Sequence, residues 1–138
     1  MATLEEFVAA QDPVWPQVCR ELRGGRKTTH WIWWVFPQLA SLGRSPRARY
    51  FGLSGLGEAQ DYLDHPVLGP RLIEVARLLL RHSGTDPRKI LGEVDALKVR
   101  SSMTLFEAVP GADPIFTTVL ERLYAGERCP LTQTEIMT

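Results

Sequence analysis

Gly25-Arg26-Lys27-Thr28-Thr29-His30-Trp31-Ile32-Trp33-Trp34-Val35-Phe36-Pro37-Gln38-Leu39 is the stretch on which the fold turns. It holds three of the chain's four tryptophans, one of its three histidines and an adjacent basic pair. Residues 31–36 are apolar on every side, so periodicity does not separate helix from strand there. Pro37 stops a regular helix from running on without a kink. The reading is a short buried helix ending near Phe36.

The flanking chain carries repeated helix signals. Thr3 with Glu6 forms a capping-box pattern ahead of Phe7 and Val8. Asp12-Pro13, Asp86-Pro87 and Asp113-Pro114 each pair a capping side chain with a proline suited to a first turn. Val14, Val18 and Leu22 fall at i, i+4, i+8, and Gly24-Gly25 ends that helix. Ser45-Pro46 opens a short helix through Phe51, and Leu56, Ala59 and Leu63 mark another that stops at His65-Pro66. Pro70 opens a long helix with an apolar stripe from Leu72 to Leu80. Asp95 is expected to cap a helix in which Leu97, Ser101, Thr104, Leu105 and Ala108 share one face and Val99, Met103 and Phe106 another. Ile115, Phe116, Val119, Leu120 and Leu123 define the last clear helix, and the tail after Pro130 is expected to fray. No run alternates as a half-buried strand does. The expectation is an all-α bundle of about seven short helices in one domain, residues 1–138.

Composition narrows the function. With 138 residues the chain buries roughly 68% of its unfolded surface without metal or disulfide. Hydrophobic residues make up 44%, charged residues 23%, and the formal net charge is zero. That balance excludes a disordered chain and argues against a general nucleic-acid binder, which carries a basic surplus. Cys19 and Cys129 show no zinc-ligand spacing and read as reduced thiols in a cytoplasmic protein. The N-terminal residues lack signal-peptide character, and no apolar run approaches a membrane span. Carboxylates and histidines do not fall at metal-ligand spacings, and no cofactor motif is present. Gly52, Gly55 and Gly57 lie in a turn, outside the strand–loop–helix setting of a phosphate loop.

Two constellations carry candidate chemistry. In the first, Arg26 and Lys27 suit a phosphate or carboxylate, backbone N–H groups at Thr28 or Thr29 would add an anion site, and His30 is a candidate acid or base. Trp31 and Trp33 are candidates to stack on a planar ligand, and Gln38 to read its edge. The plainer reading is a solvated basic turn, a histidine bonded to a carbonyl, and tryptophans in the core. In the second, Asp95, Lys98, Ser101, Ser102 and Thr104 crowd one helix. Lys98 would hold an anion, the hydroxyls of Ser101 and Thr104 would donate to a ligand, and Ser102 is the candidate nucleophile. The plainer reading is hydroxyls bonded back to carbonyls a turn earlier.

The chain resembles the bacterial domain-of-unknown-function family 1810 over nearly its whole length. The likeness rests on Phe7–Asp12; Gly25-Arg26-Lys27; His30-Trp31-Ile32-Trp33; Phe36-Pro37-Gln38-Leu39; Leu42-Gly43-Arg44-Ser45 with Ala48 and Tyr50; Tyr62-Leu63 and His65-Pro66 with Leu68-Gly69; and Asp95, Leu97-Lys98 and Ser101–Phe106. Trp34 and Gly57 depart from the family pattern. The resemblance implies a compact multihelical fold and no established activity. A fainter likeness, at the level of fold alone, is to the NADAR proteins, helical domains that cleave N-glycosidic bonds near ribose phosphates. The combined expectation is a site between Lys27–Gln38 and Lys98–Thr104 for a small anionic, nucleotide- or ribose-phosphate-like ligand, with hydrolysis as the reaction to test. The alternative is a protein-interaction module or homo-oligomer built on the aromatic segment.

Overall fold

The computed structural model describes residues 1–137, and within them the chain is all-α. Its helices are α1 (Leu4–Gln11), α2 (Trp15–Gly24), α3 (Ile32–Val35), α4 (Pro46–Tyr50), α5 (Leu56–Asp64), α6 (Leu68–Leu80), α7 (Pro87–Leu91), α8 (Glu93–Glu107), α9 (Ile115–Leu123) and α10 (Pro130–Ile136). Ten helices are described where about seven were expected. The excess lies in short pieces, because tight turns break the chain wherever Pro or Gly interrupts a stripe.

α8 is the hub. It packs against α5, α7, α9 and α10. Ala96, Val99 and every residue from Ser101 to Phe106 are buried, as expected for a helix surrounded on most sides. Phe106 meets Tyr62 at 5.4 Å and Phe116 at 5.8 Å, and Tyr62 meets Phe7 edge-on at 5.4 Å. A chain of rings thus joins α1, α5, α8 and α9.

The local signals divide. The Thr3–Glu6 capping box forms, Ser45 accepts from Ala48 N–H, and Asp86 accepts from Arg88 N–H. Asp12 closes α1 instead of opening α2. α6 begins at Leu68, two residues ahead of Pro70, where the His65 ring nitrogen accepts from the N–H groups of Val67 and Leu68. α8 starts at Glu93 after Gly92, so Asp95 is no cap. Leu97 is 57% exposed and not on a buried face. The segment after Pro130 is a helix with Thr132 fully buried, not a frayed tail; Thr138 lies outside the described residues. Among the described residues there is no strand, only an isolated parallel bridge between Leu39 and Leu53. No described helix is long and apolar enough to cross a membrane.

Candidate functional site

The Trp stretch is organised by a residue that no sequence pattern marked. Glu21 on α2 is buried, and its carboxylate accepts from Thr28 N–H at 2.8 Å, Thr29 N–H at 3.1 Å, Thr29 Oγ1 at 2.6 Å, Trp31 Nε1 at 3.0 Å and Gln17 Nε2 at 2.8 Å. Burial pushes its pKa up, but the donors from Thr29, Gln17 and Thr28 outweigh burial and bring it down to about 2. The backbone N–H groups expected to hold an external anion therefore hold the protein's own. Trp31 is 1% exposed and makes no stacking surface.

Lys27 is also committed internally. Its Nζ lies 2.8 Å from Asp95, donates to Thr29 O at 2.6 Å and sits over the Trp31 ring. Arg26 and His30 are exposed on the same loop. Ser102 is fully buried and its hydroxyl has no partner, which puts it out of a ligand's reach as a nucleophile. Thr104 donates to Arg100 O at 2.8 Å and accepts from Cys129 N–H at 3.0 Å, the backbone-bonded arrangement of the plainer reading.

Gln38, Lys98 and Ser101 do come together, in a groove of about 690 Å³ between α8, residues 38–48 and the start of α10. Lys98 lies along one wall with its ammonium over the Trp33 ring at 5.4 Å; Arg47 covers the same ring at 4.9 Å. Asp95 is 4.0 Å from the Lys98 ammonium, the outer limit of an ion pair. Arg44 also lines the groove and makes no ion pair among the described residues. Ser101 donates to Cys129 Sγ at 3.2 Å on the floor. Val94, Leu97 and Leu131, each more than half exposed, edge the opening.

The groove wall from residue 38 to 48 is held by backbone. Leu53 N–H donates to Gln38 O at 2.9 Å, and Ala40 N–H donates to Leu53 O at 2.8 Å. Ser41 donates to Glu135, tying this wall to α10. Arg44 and Cys129 were not among the candidates. Their role depends on residues 44, 98 and 129 meeting in space, and no spacing encodes that. Among the described residues, no cluster of three His, Cys, Asp or Glu side chains is placed to hold a metal ion.

A larger cavity, about 980 Å³, lies beside α7 and α9. Its charges are mixed: Asp86, Glu93, Glu121 and Glu127 against Arg88, Arg100 and Arg122. Several are paired, Arg88 with Asp86 at 2.8 Å and Arg100 with Glu127 at 3.8 Å. It shows no preference for either sign of ligand.

The family model described as a protein of unknown function, DUF1810, matches residues 1–136. Among solved structures the chain is similar to the conserved hypothetical protein Rv1873 from Mycobacterium tuberculosis, known from a crystal structure at 1.38 Å. Sequence identity is 45%, the TM-score is 0.95, and the match covers 98% of this chain and 96% of that one. No curated protein matches.

Proposed function

The chain belongs to the DUF1810 family of proteins of unknown function, and for this member we propose that the groove between α8 and residues 38–48 binds a small anionic ligand with an apolar or planar body. One observation carries the reading: the charged side chains lining the groove, Arg44 and Lys98, are both cations, in a chain of zero formal net charge. A lysine and an arginine lining one cleft favour phosphate or carboxylate. Gln38, whose amide makes no hydrogen bond among the described residues, is free to read a ligand edge. Val94, Leu97 and Leu131 offer apolar surface to the rest of the molecule. The volume falls in the range of small-molecule sites.

Binding, not hydrolysis, is the function this geometry supports. His30 and Ser102, the acid–base and nucleophile candidates, do not line the groove. The interaction-module alternative also moves, because Trp31, Ile32, Val35 and Phe36 of the aromatic segment are interior while Val94, Leu97 and Leu131 at the groove rim are exposed.

The test is a thermal-shift screen against nucleotides, ADP-ribose, NAD, sugar phosphates and simple organic anions. A ligand at 100 times its Kd stabilises by about 2.7 kcal/mol, a shift of several degrees. The expected result is a hit that Lys98→Ala and Arg44→Ala each weaken without lowering the unliganded Tm. A flat screen on folded protein, or a hit indifferent to both substitutions, overturns the reading.

A further inference from the structure

The groove contains a nucleophile that anion binding does not use. Cys129 lines its floor and is 4% exposed. Its position is fixed: its N–H donates to Thr104 Oγ1, Thr104 is anchored to Arg100 O, and Ser101 donates to its sulfur. Thr132 is fully buried against the same atom, and its hydroxyl has no partner of ordinary hydrogen-bond geometry. A buried hydroxyl beside a sulfur and otherwise unsatisfied is a donor available to an oxygen bonded to that sulfur. Burial raises the proton affinity of Cys129, but the Ser101 hydroxyl, which donates to its sulfur, leads the donors that outweigh it, so the thiol sits below its ordinary pKa.

Cys19 makes the contrast. Burial and the Glu74 carboxylate, to which it donates at 3.3 Å, push its pKa up to about 11. The two thiols have opposite environments in one chain.

We propose that Cys129 is a peroxide-reactive thiol. Its thiolate attacks the distal oxygen of a small hydroperoxide admitted through the groove. An S–O bond forms as the O–O bond breaks, sulfur is oxidised to the sulfenic acid, and the peroxide is reduced to an alcohol or water. The proton lost to solvent on forming the thiolate is regained by the departing alkoxide. Arg44 and Lys98 line the same groove. Cys19 is bonded to Glu74 on α6, away from the groove, so a low-molecular-weight thiol from solution is the reductant that returns Cys129 to its starting state. None of this depends on the anionic-ligand reading.

The experiment treats the native chain at pH 7 with hydrogen peroxide or tert-butyl hydroperoxide, traps sulfenic acid with dimedone and compares the two cysteines by peptide mass spectrometry. No other ligand is added, so its outcome is separate from that of the binding screen. Sulfenic acid is expected at Cys129 at least about tenfold faster than at Cys19, since a larger thiolate fraction outweighs the lower nucleophilicity of the more acidic thiol. Thr132→Val should slow Cys129 several-fold, leave Cys19 unchanged and keep the thermal melt. Ser101→Ala serves the same purpose if Thr132→Val does not fold. Cys19 keeping pace with Cys129, or a folded Thr132→Val reacting at the wild-type rate, overturns the proposal. The wild-type ratio decides even if neither variant folds.

Discussion

Lys27, on the loop ahead of α3, and Asp95, in the first turn of α8, form a 2.8 Å ion pair with side chains only 6% and 18% exposed. The pair joins the Trp stretch to the central helix. Lys27→Ala leaves the Asp95 carboxylate with Lys98 at 4.0 Å as its remaining ion-pair partner. We expect a loss of about 2–3 kcal/mol, because a largely buried carboxylate left with one distant partner is costlier than the pair was worth. The double variant Lys27→Met, Asp95→Leu should recover much of it. Urea denaturation of wild type, Lys27→Met, Asp95→Leu and the double variant gives the coupling energy, and additive losses would show that the pair does not act as a unit.

Glu21 sets an acid limb. Its folded-state pKa of about 2 lies below the ordinary 4.5. A depressed carboxylate contributes stability that is present in full above its unfolded pKa and lost as pH falls toward the folded one. The contribution is on the order of 3 kcal/mol and should disappear between about pH 5 and pH 2. Glu21→Gln should lower stability at pH 7 and flatten the stability curve across that window. A curve parallel to wild type there would mean the five hydrogen bonds do not favour the charged form.

Gly52 lets two backbones touch. A Cβ built at this position would lie 2.3 Å from Ala40 Cα. Gly52→Ala must push residues 38–42 off Leu53 and strain the bridge that holds the groove wall. A loss of about 2–4 kcal/mol in chemical denaturation is expected, together with loss of any ligand that Gln38 helps to hold. Full stability in this variant would mean that the wall yields without cost.

Ser102 gives a prediction of the opposite sign. Its buried hydroxyl is unpartnered, so Ser102→Ala removes a desolvated donor and should be neutral or stabilising by up to about 1 kcal/mol. His30 is exposed, and His30→Ala should change stability by less than about 0.5 kcal/mol. Ligand affinity should survive both. Loss of binding in either variant would return these residues to the site.

The all-α class was legible in the sequence because helices are specified locally. Thr3, Ser45 and Asp86 cap the turns beside them, Gly25 ends α2 at φ 74°, and the apolar stripes from Leu72 to Leu80 and from Ile115 to Leu123 bury the faces their spacing implies. Polar residues were legible as unusual but not in role. Lys27, Thr28 and Thr29 read as site residues for their charge and free N–H groups, and Ser102 for its place among hydroxyls on a crowded helix. Whether such a group meets solvent, a ligand or its own protein depends on what the rest of the chain packs against it. Glu21 decided that for the Thr28–Trp31 turn, and Asp95 for Lys27. The groove is tertiary in the same sense. Gln38, Arg44, Lys98 and Cys129 share it because the Leu39–Leu53 bridge and the packing of α10 on α8 bring residues distant in sequence to one cleft. Caps and stripes act within a few turns of chain, so sequence alone determined them. Charge pairing and cavities form between segments far apart in sequence, so only the folded structure decided those.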